Sequence, residues 1–304
     1  MTELDRPQPD ASTTNVERTL WTAEPIARDR VPVGRLLRSE LSLIYRRPRN
    51  LVLLGILAAI PVIMGIALAV IEKPTGGSDG EGRNVALLTT AAGNALVLPV
   101  AALVVSLTLM LPLVAAMSGA DAIAGEQASG TLRGLLLAPV GRGRVLLVKA
   151  VGVAMLTSTA AVLMAVSGIV TGLVSNGTDA LFTLSGTTES LPGAVWRVLL
   201  ASAWVAVQLW AVGAVALAVS TVTEHPIVVL VSVVGGVLLF SILSALEALS
   251  WLHPFLLNTS WDFVVDVLRD PIPLDALGEG IVRAGCYIVI ALSLATARML
   301  TKDS

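Results

Sequence analysis

Charge is scarce in this chain. Charged residues make up 14% of its 304 positions, against roughly 25% in an ordinary soluble domain. With 55% hydrophobic residues beside them, that scarcity excludes a soluble globular enzyme and leaves a polytopic helical membrane protein. Cysteine is scarcer still. The single Cys286 excludes an internal disulfide and any multi-cysteine metal site, and its place in the last apolar run predicts a small buried hydrophobe. The two histidines, His225 and His253, fall on opposite predicted sides and cannot build one metal centre. There is no H-E-x-x-H, no G-x-S-x-G and no carboxylate pair within a span, so catalysis inside the membrane is not expected. Gly125, Gly130 and Thr131 give G-x-x-x-x-G-T, which lacks the phosphate-contacting lysine of a P-loop, and no other stretch supplies it. The chain is therefore expected to bind no cofactor and hydrolyse no ATP of its own. Met64, Met110, Met117, Met155 and Met164 are scattered as packing residues rather than as a soft-metal path. No cleavable signal peptide is visible, and no nucleic-acid partner is expected. Residues 1–30 are polar and of mixed charge, and read as a disordered cytoplasmic tail.

What is present is a series of apolar runs, each near the roughly 20 residues that cross a bilayer. Six spans are expected, at residues 51–71, 96–117, 145–174, 194–219, 227–249 and 281–297. Pro99 and Pro112 should kink the second. The third is rich in Ala, Ser, Thr and Gly, which permit close helix approach in lipid. The short turn at residues 221–226 makes the fourth and fifth spans antiparallel neighbours. From Arg28 onward, thirteen Lys and Arg fall in the segments assigned to the cytoplasm and five in those assigned outside, a bias that puts both termini inside.

Several polar positions stand out. Val33, Leu36, Leu37, Leu41 and Ile44 share one helical face opposite Arg35, Arg38 and Arg46, which predicts a basic amphipathic helix in the interface before Pro48 re-aims the chain. Asn94, at the outer end of the second span, either packs against a neighbouring helix or contacts a substrate. Gln208, near the middle of the fourth, either bonds a neighbouring helix or lines a cavity. Trp196 and Arg197 are expected to anchor the outer end of that span at the interface. Residues 250–279 interleave Trp251, Phe255, Trp261 and Phe263 with acids, which suggests short helices dipping into the outer leaflet.

The longest polar and basic interruption is residues 118–144, running into Lys149. A helix over residues 120–137 is expected to lie across the membrane surface, with Glu126 and Arg133 available to a protein partner. Pro139 and Gly141 end it, and Lys149 snorkels back to the interface. The order Glu126, Gly130-Thr131-Leu132-Arg133, a Leu-rich turn, Pro139-Val140, Arg142, Arg144 and Lys149 resembles the cytoplasmic loop of type-2 ABC exporter permeases.

That resemblance implies an all-α permease domain over residues 31–304, with an elbow helix before the first span and re-entrant helices at 250–279. It implies a separate ATP-binding subunit carrying ATP and Mg, a second identical or different permease chain, and a place in the inner membrane. Glu126, Gly130, Thr131, Arg133, Pro139 and Lys149 become the coupling positions. Their role would be mechanical. A low-charge, aromatic-poor interior suits a small amphiphile, drug or lipid as substrate. An ion-coupled secondary transporter would instead be expected to show paired repeats and midplane charges, which are not found. A membrane scaffold that anchors a partner stays open.

Overall fold

The computed structural model describes residues 33–70, 87, 90–128, 142–177 and 181–301. Among these the regular structure is helical, apart from one isolated bridge between Phe182 and Thr188. The helices are α1 (Val33–Arg46), α2 (Pro48–Val70), α3 (Val97–Leu107), α4 (Met110–Ala120), α5 (Arg142–Asn176), α6 (Leu191–Ser220), α7 (Pro226–Ser244) and α8 (Leu274–Thr301). After α4 the chain widens into a π-helical turn, Asp121–Gly125, and closes with a short α-turn, Glu126–Ala128. Two 3₁₀ segments, Glu247–Phe255 and Leu257–Leu268, join α7 to α8. Five helices are long and apolar enough to cross a membrane, or six if the bent pair α3–α4 makes one span. The tail 1–30 and the polar loop 72–83 lie outside the described residues.

Helix α6 is the axis of the bundle. Its Ala, Val and Leu positions run round most of its circumference and are buried, while Trp196, Leu199, Ala203 and Trp210 mark one face left exposed. It packs against α3, α4, α5, α7, α8 and the second 3₁₀ segment. Ser190 caps its start, the side chain accepting from the Gly193 amide at 3.3 Å, and Pro192 sits where its missing N–H costs nothing.

Small residues set the helix spacing. A Cβ on Gly119 of α4 would lie 2.5 Å from that of Ala216 on α6, and one on Gly172 of α5 would lie 2.5 Å from the Ala95 carbonyl oxygen. The second contact is with backbone, which cannot rotate away. Gly172→Ala is therefore expected to destabilise the bundle by about 1–3 kcal/mol through overpacking. A lowered thermal unfolding midpoint in detergent would record this, and an unchanged midpoint would refute the close approach.

The second span breaks where one of its two prolines demands it. The axes on either side of the break differ by 54°. Pro112 has no N–H to offer the Thr108 carbonyl, and its ring crowds that group. The chain accordingly leaves helical geometry at Leu109 (φ −148°, ψ −48°). Pro99 lies in the first turn of α3, where an unpaired N–H is ordinary, so the kink expected there is absent.

Helix α7 is shorter than the fifth span expected at 227–249. It tightens at its end, where the amides of Ala245 and Leu246 bond the carbonyls of Ile242 and Leu243, and stops at Ser244. The first 3₁₀ segment buries none of its residues and leaves Trp251 and Phe255 exposed. The second is buried through Leu257, Trp261, Val264, Val265, Val267 and Leu268. Helix α8 starts at Leu274, seven residues before the expected 281, with Asp275 at its positive N-terminal end. Cys286 on α8 is exposed rather than buried, because it faces an open groove.

Candidate functional site

At one end of the bundle α1, the turns after α4 and the start of α5 meet around Lys149. Helix α1 crosses α5 closely: a Cβ on Gly152 would lie 2.8 Å from Ile44 Cδ1 and 3.3 Å from Glu40 Cγ. The same crossing aims Glu40 at Lys149, whose Nζ donates to both carboxylate oxygens at 2.9 and 3.0 Å. Lys149 Nζ also donates to Glu126 Oε1 from the turn after α4. Lys149 is only 3% exposed. An ammonium buried this far is tolerable because carboxylates from two other elements face it.

Lys149 thus does not snorkel to the surface as the sequence suggests, and Glu126, likewise buried, is not presented to an external partner. Two carboxylates offer the ammonium a better site than the head-group region. A second pair, Arg49 with Asp121, joins the start of α2 to the π-turn. Asn50 Nδ2 donates to the Ile44 carbonyl at 2.9 Å and closes the α1–α2 corner. Arg47 lines the same small cavity of about 20 Å³ as Glu40, Asp121, Glu126 and Lys149. Three carboxylates and three cations therefore gather at this junction. The expected helix over 120–137 is described as far as Ala128. Gly130, Thr131, Arg133 and Pro139 lie outside the described residues, and the cluster sits on both flanks of that segment.

The opposite end is organised by Arg197. Sixteen residues separate it from Gly213, which packs on Val153 of α5, a rise of about 24 Å along α6. Rather than anchoring at an interface, Arg197 is 8% exposed, while its neighbour Trp196 is turned outward. Its Nε donates to Glu189 Oε1 at 2.7 Å, and Nη1 donates to the Val267 and Arg269 carbonyls at 3.1 and 2.8 Å. The guanidinium fork is what lets one side chain hold a loop and a buried 3₁₀ segment together.

The two interior amides are both engaged. Asn94 Nδ2 donates to the Phe182 carbonyl at 2.6 Å and its Oδ1 accepts from the Leu96 amide at 2.9 Å. Gln208, wholly buried, donates through Nε2 to the Gly280 carbonyl at 3.1 Å. The Ser260 hydroxyl lies 3.4 Å from Gln208 Oε1 and 2.8 Å from the Leu257 carbonyl, and can serve one at a time. Both residues tie elements together, Gln208 linking α6 to α8 beside the buried 3₁₀ segment. Among the described residues no group of His, Cys, Asp and Glu has the arrangement of a metal site.

Sequence reasoning missed Glu40. Its position on the polar face of an amphipathic helix looks like a solvated one, and its partner is 109 residues away. The available signal was an acid among the arginines of a helix that precedes a span.

A comparison with family models matches residues 36–260 to the ABC-2 family transporter proteins. The chain belongs to the ABC-2 transporter family. The match runs from within α1 into the buried 3₁₀ segment, so it takes in both the Lys149 cluster and Arg197. The protein is an ABC transporter permease and a multi-pass membrane protein. A comparison with curated proteins returned no match.

Proposed function

We propose that this ABC-2 permease is the membrane-spanning subunit of an ATP-driven exporter in the inner membrane, with both termini and the Lys149 cluster on the cytoplasmic side. A separate subunit binds ATP and Mg, and a second permease chain, identical or different, completes the path. The observation that carries this reading is the buried Glu40–Lys149–Glu126 junction. It ties both flanks of segment 129–141 to α1, so a push on that segment would reach α1, α4 and α5 together. Coupling by Glu126 and Lys149 is then internal transmission, while Gly130, Thr131, Arg133 and Pro139 are the positions offered to the ATPase. The low-charge interior supports a small amphiphile, drug or lipid as cargo.

Co-purification in detergent with candidate ATP-binding subunits tests this. The wild-type chain is expected to hold such a subunit, and Glu126→Ala/Arg133→Ala to lose it. A complex indifferent to the mutations would move the coupling site elsewhere. No ATPase partner under any condition would leave an ion-coupled transporter or a membrane scaffold.

A further inference from the structure

Beside the buried 3₁₀ segment lies a cavity of about 130 Å³ between α6, α7 and Tyr287 of α8. Its walls are almost wholly apolar, supplied by residues such as Val215, Val233 and Phe240. Four polar side chains interrupt them, Ser232, Tyr287, Trp261 and Asn258, and the last two carry unmatched buried atoms. Trp261 is more than nine-tenths buried, and its Nε1–H has no partner among the described residues. Asn258 donates through Nδ2 to Ser244 Oγ at 3.2 Å, but its buried Oδ1 accepts nothing. A buried donor and a buried acceptor left unmatched in one cavity cost free energy that a bound group can return.

The cavity shares walls with a second space. Val215, Val219 and Tyr287 also line a larger groove of about 700 Å³ that runs along α8 past Phe255, Cys286 and Ile290. The charged pair at this groove, Arg283 and Glu279, is self-satisfied at 2.5 Å, and Arg283 further donates to the Leu256 carbonyl at 3.2 Å. Among the described residues no ionised side chain lines the inner cavity, and an unpaired charge there would be costly.

The geometry points to a binding site for a single-chain neutral amphiphile. Its hydroxyl or amide head enters the inner cavity, accepting from Trp261 and donating to Asn258, and its chain lies in the α8 groove. The inner volume, about that of four waters, admits a small head and not a phosphate diester with two chains. That this class is what the protein moves rests on the exporter reading, whereas binding itself does not.

The test is photolabelling of the full chain in detergent with a diazirine-bearing octanol, followed by mapping of the adducts. Adducts are expected to concentrate on the Val215–Val219 stretch, Trp261 and Tyr287. 1-Octanol should compete where octane does not. Trp261→Phe, which keeps the ring and removes the donor, should lower labelling about three- to tenfold, the worth of one hydrogen bond. Gly236 lines the cavity and a Cβ there meets no atom within 4 Å, so Gly236→Leu should fill the space and abolish labelling. Adducts spread evenly over the exposed faces of α2 and α7 would overturn the site. Equal competition by octane, or labelling unchanged in Trp261→Phe, would overturn it too. The octanol and octane arms need only the wild-type chain, so a misfolded variant leaves the test intact. Labelling without any ATPase partner would sink the exporter reading alone, and an ATPase complex without labelling would sink the site alone.

Discussion

Lys149→Met is expected to lower the stability of the permease by about 3–5 kcal/mol, the scale for stranding one side of a buried ion pair. The methionine fills nearly the same volume, so packing contributes little of the loss. What remains is two buried carboxylates, Glu40 and Glu126, that have both lost the ammonium facing them. Repulsion adds to desolvation, and both act against the contact of α1 with α5. The triple variant Glu40→Met/Glu126→Met/Lys149→Met removes every charge of the triad and should recover most of the stability, because apolar replacement of a buried ionic group is often neutral. Thermal unfolding in detergent, followed by tryptophan fluorescence, separates the two variants. A single variant as stable as wild type would show that the triad is not formed in the folded protein. On the exporter reading, the triple variant should fold and still couple poorly, since it lacks the directional bonds that transmit a push from segment 129–141.

The parts of this architecture that follow from local chemistry were legible in the sequence. Apolar runs announce themselves by length, and Pro112 announces a break, although the break falls one turn earlier because the proline's steric quarrel is with the residue four positions back. Pro99 misled because its effect depends on where the helix begins, which hydropathy locates poorly. The polar sites depended on distant partners. Lys149 stood out as a cation at the edge of a span, but whether it would reach toward head groups or turn inward was decided by Glu40, on another helix. Arg197 has the same history: as a basic residue beside a tryptophan it resembles an interfacial anchor, and only the carbonyls of Val267 and Arg269 draw it inside. Cys286 failed in the other direction, since an apolar run does not say which of its faces meets protein. Gln208 and Asn94 were visible as polar groups in apolar surroundings. Their role as ties rather than cavity linings came from the carbonyls of Gly280 and Phe182, which no periodicity locates.

Arg197→Met is expected to have the second large effect, again about 3–5 kcal/mol, and to concentrate it at one place. The guanidinium serves Glu189 before α6 and the carbonyls of Val267 and Arg269 at the end of the buried 3₁₀ segment. Asp270, 3.6 Å from Nη2, adds a fourth acceptor. Three neighbouring bonds make the same join without it: the Leu184 amide donates to the Leu268 carbonyl at 2.9 Å, the Asp270 amide to Ser185 Oγ at 2.9 Å, and Thr187 Oγ1 to Asp270 Oδ2 at 3.3 Å. These are single bonds worth about 1 kcal/mol each, too little to hold the segment once Glu189 and two carbonyls have lost their donor. The 247–273 region should therefore loosen before the bundle does. Arg197→Lys should recover less than half of the loss, because an ammonium keeps the charge but cannot address acceptors on both sides of a planar fork. Limited proteolysis reads this directly. Cleavage within residues 247–273 should accelerate in Arg197→Met well below its unfolding midpoint, with Arg197→Lys in between. A lowered midpoint without early cleavage there would mean that Arg197 supports the whole bundle rather than this segment, and an unaltered midpoint would mean that its bonds are dispensable.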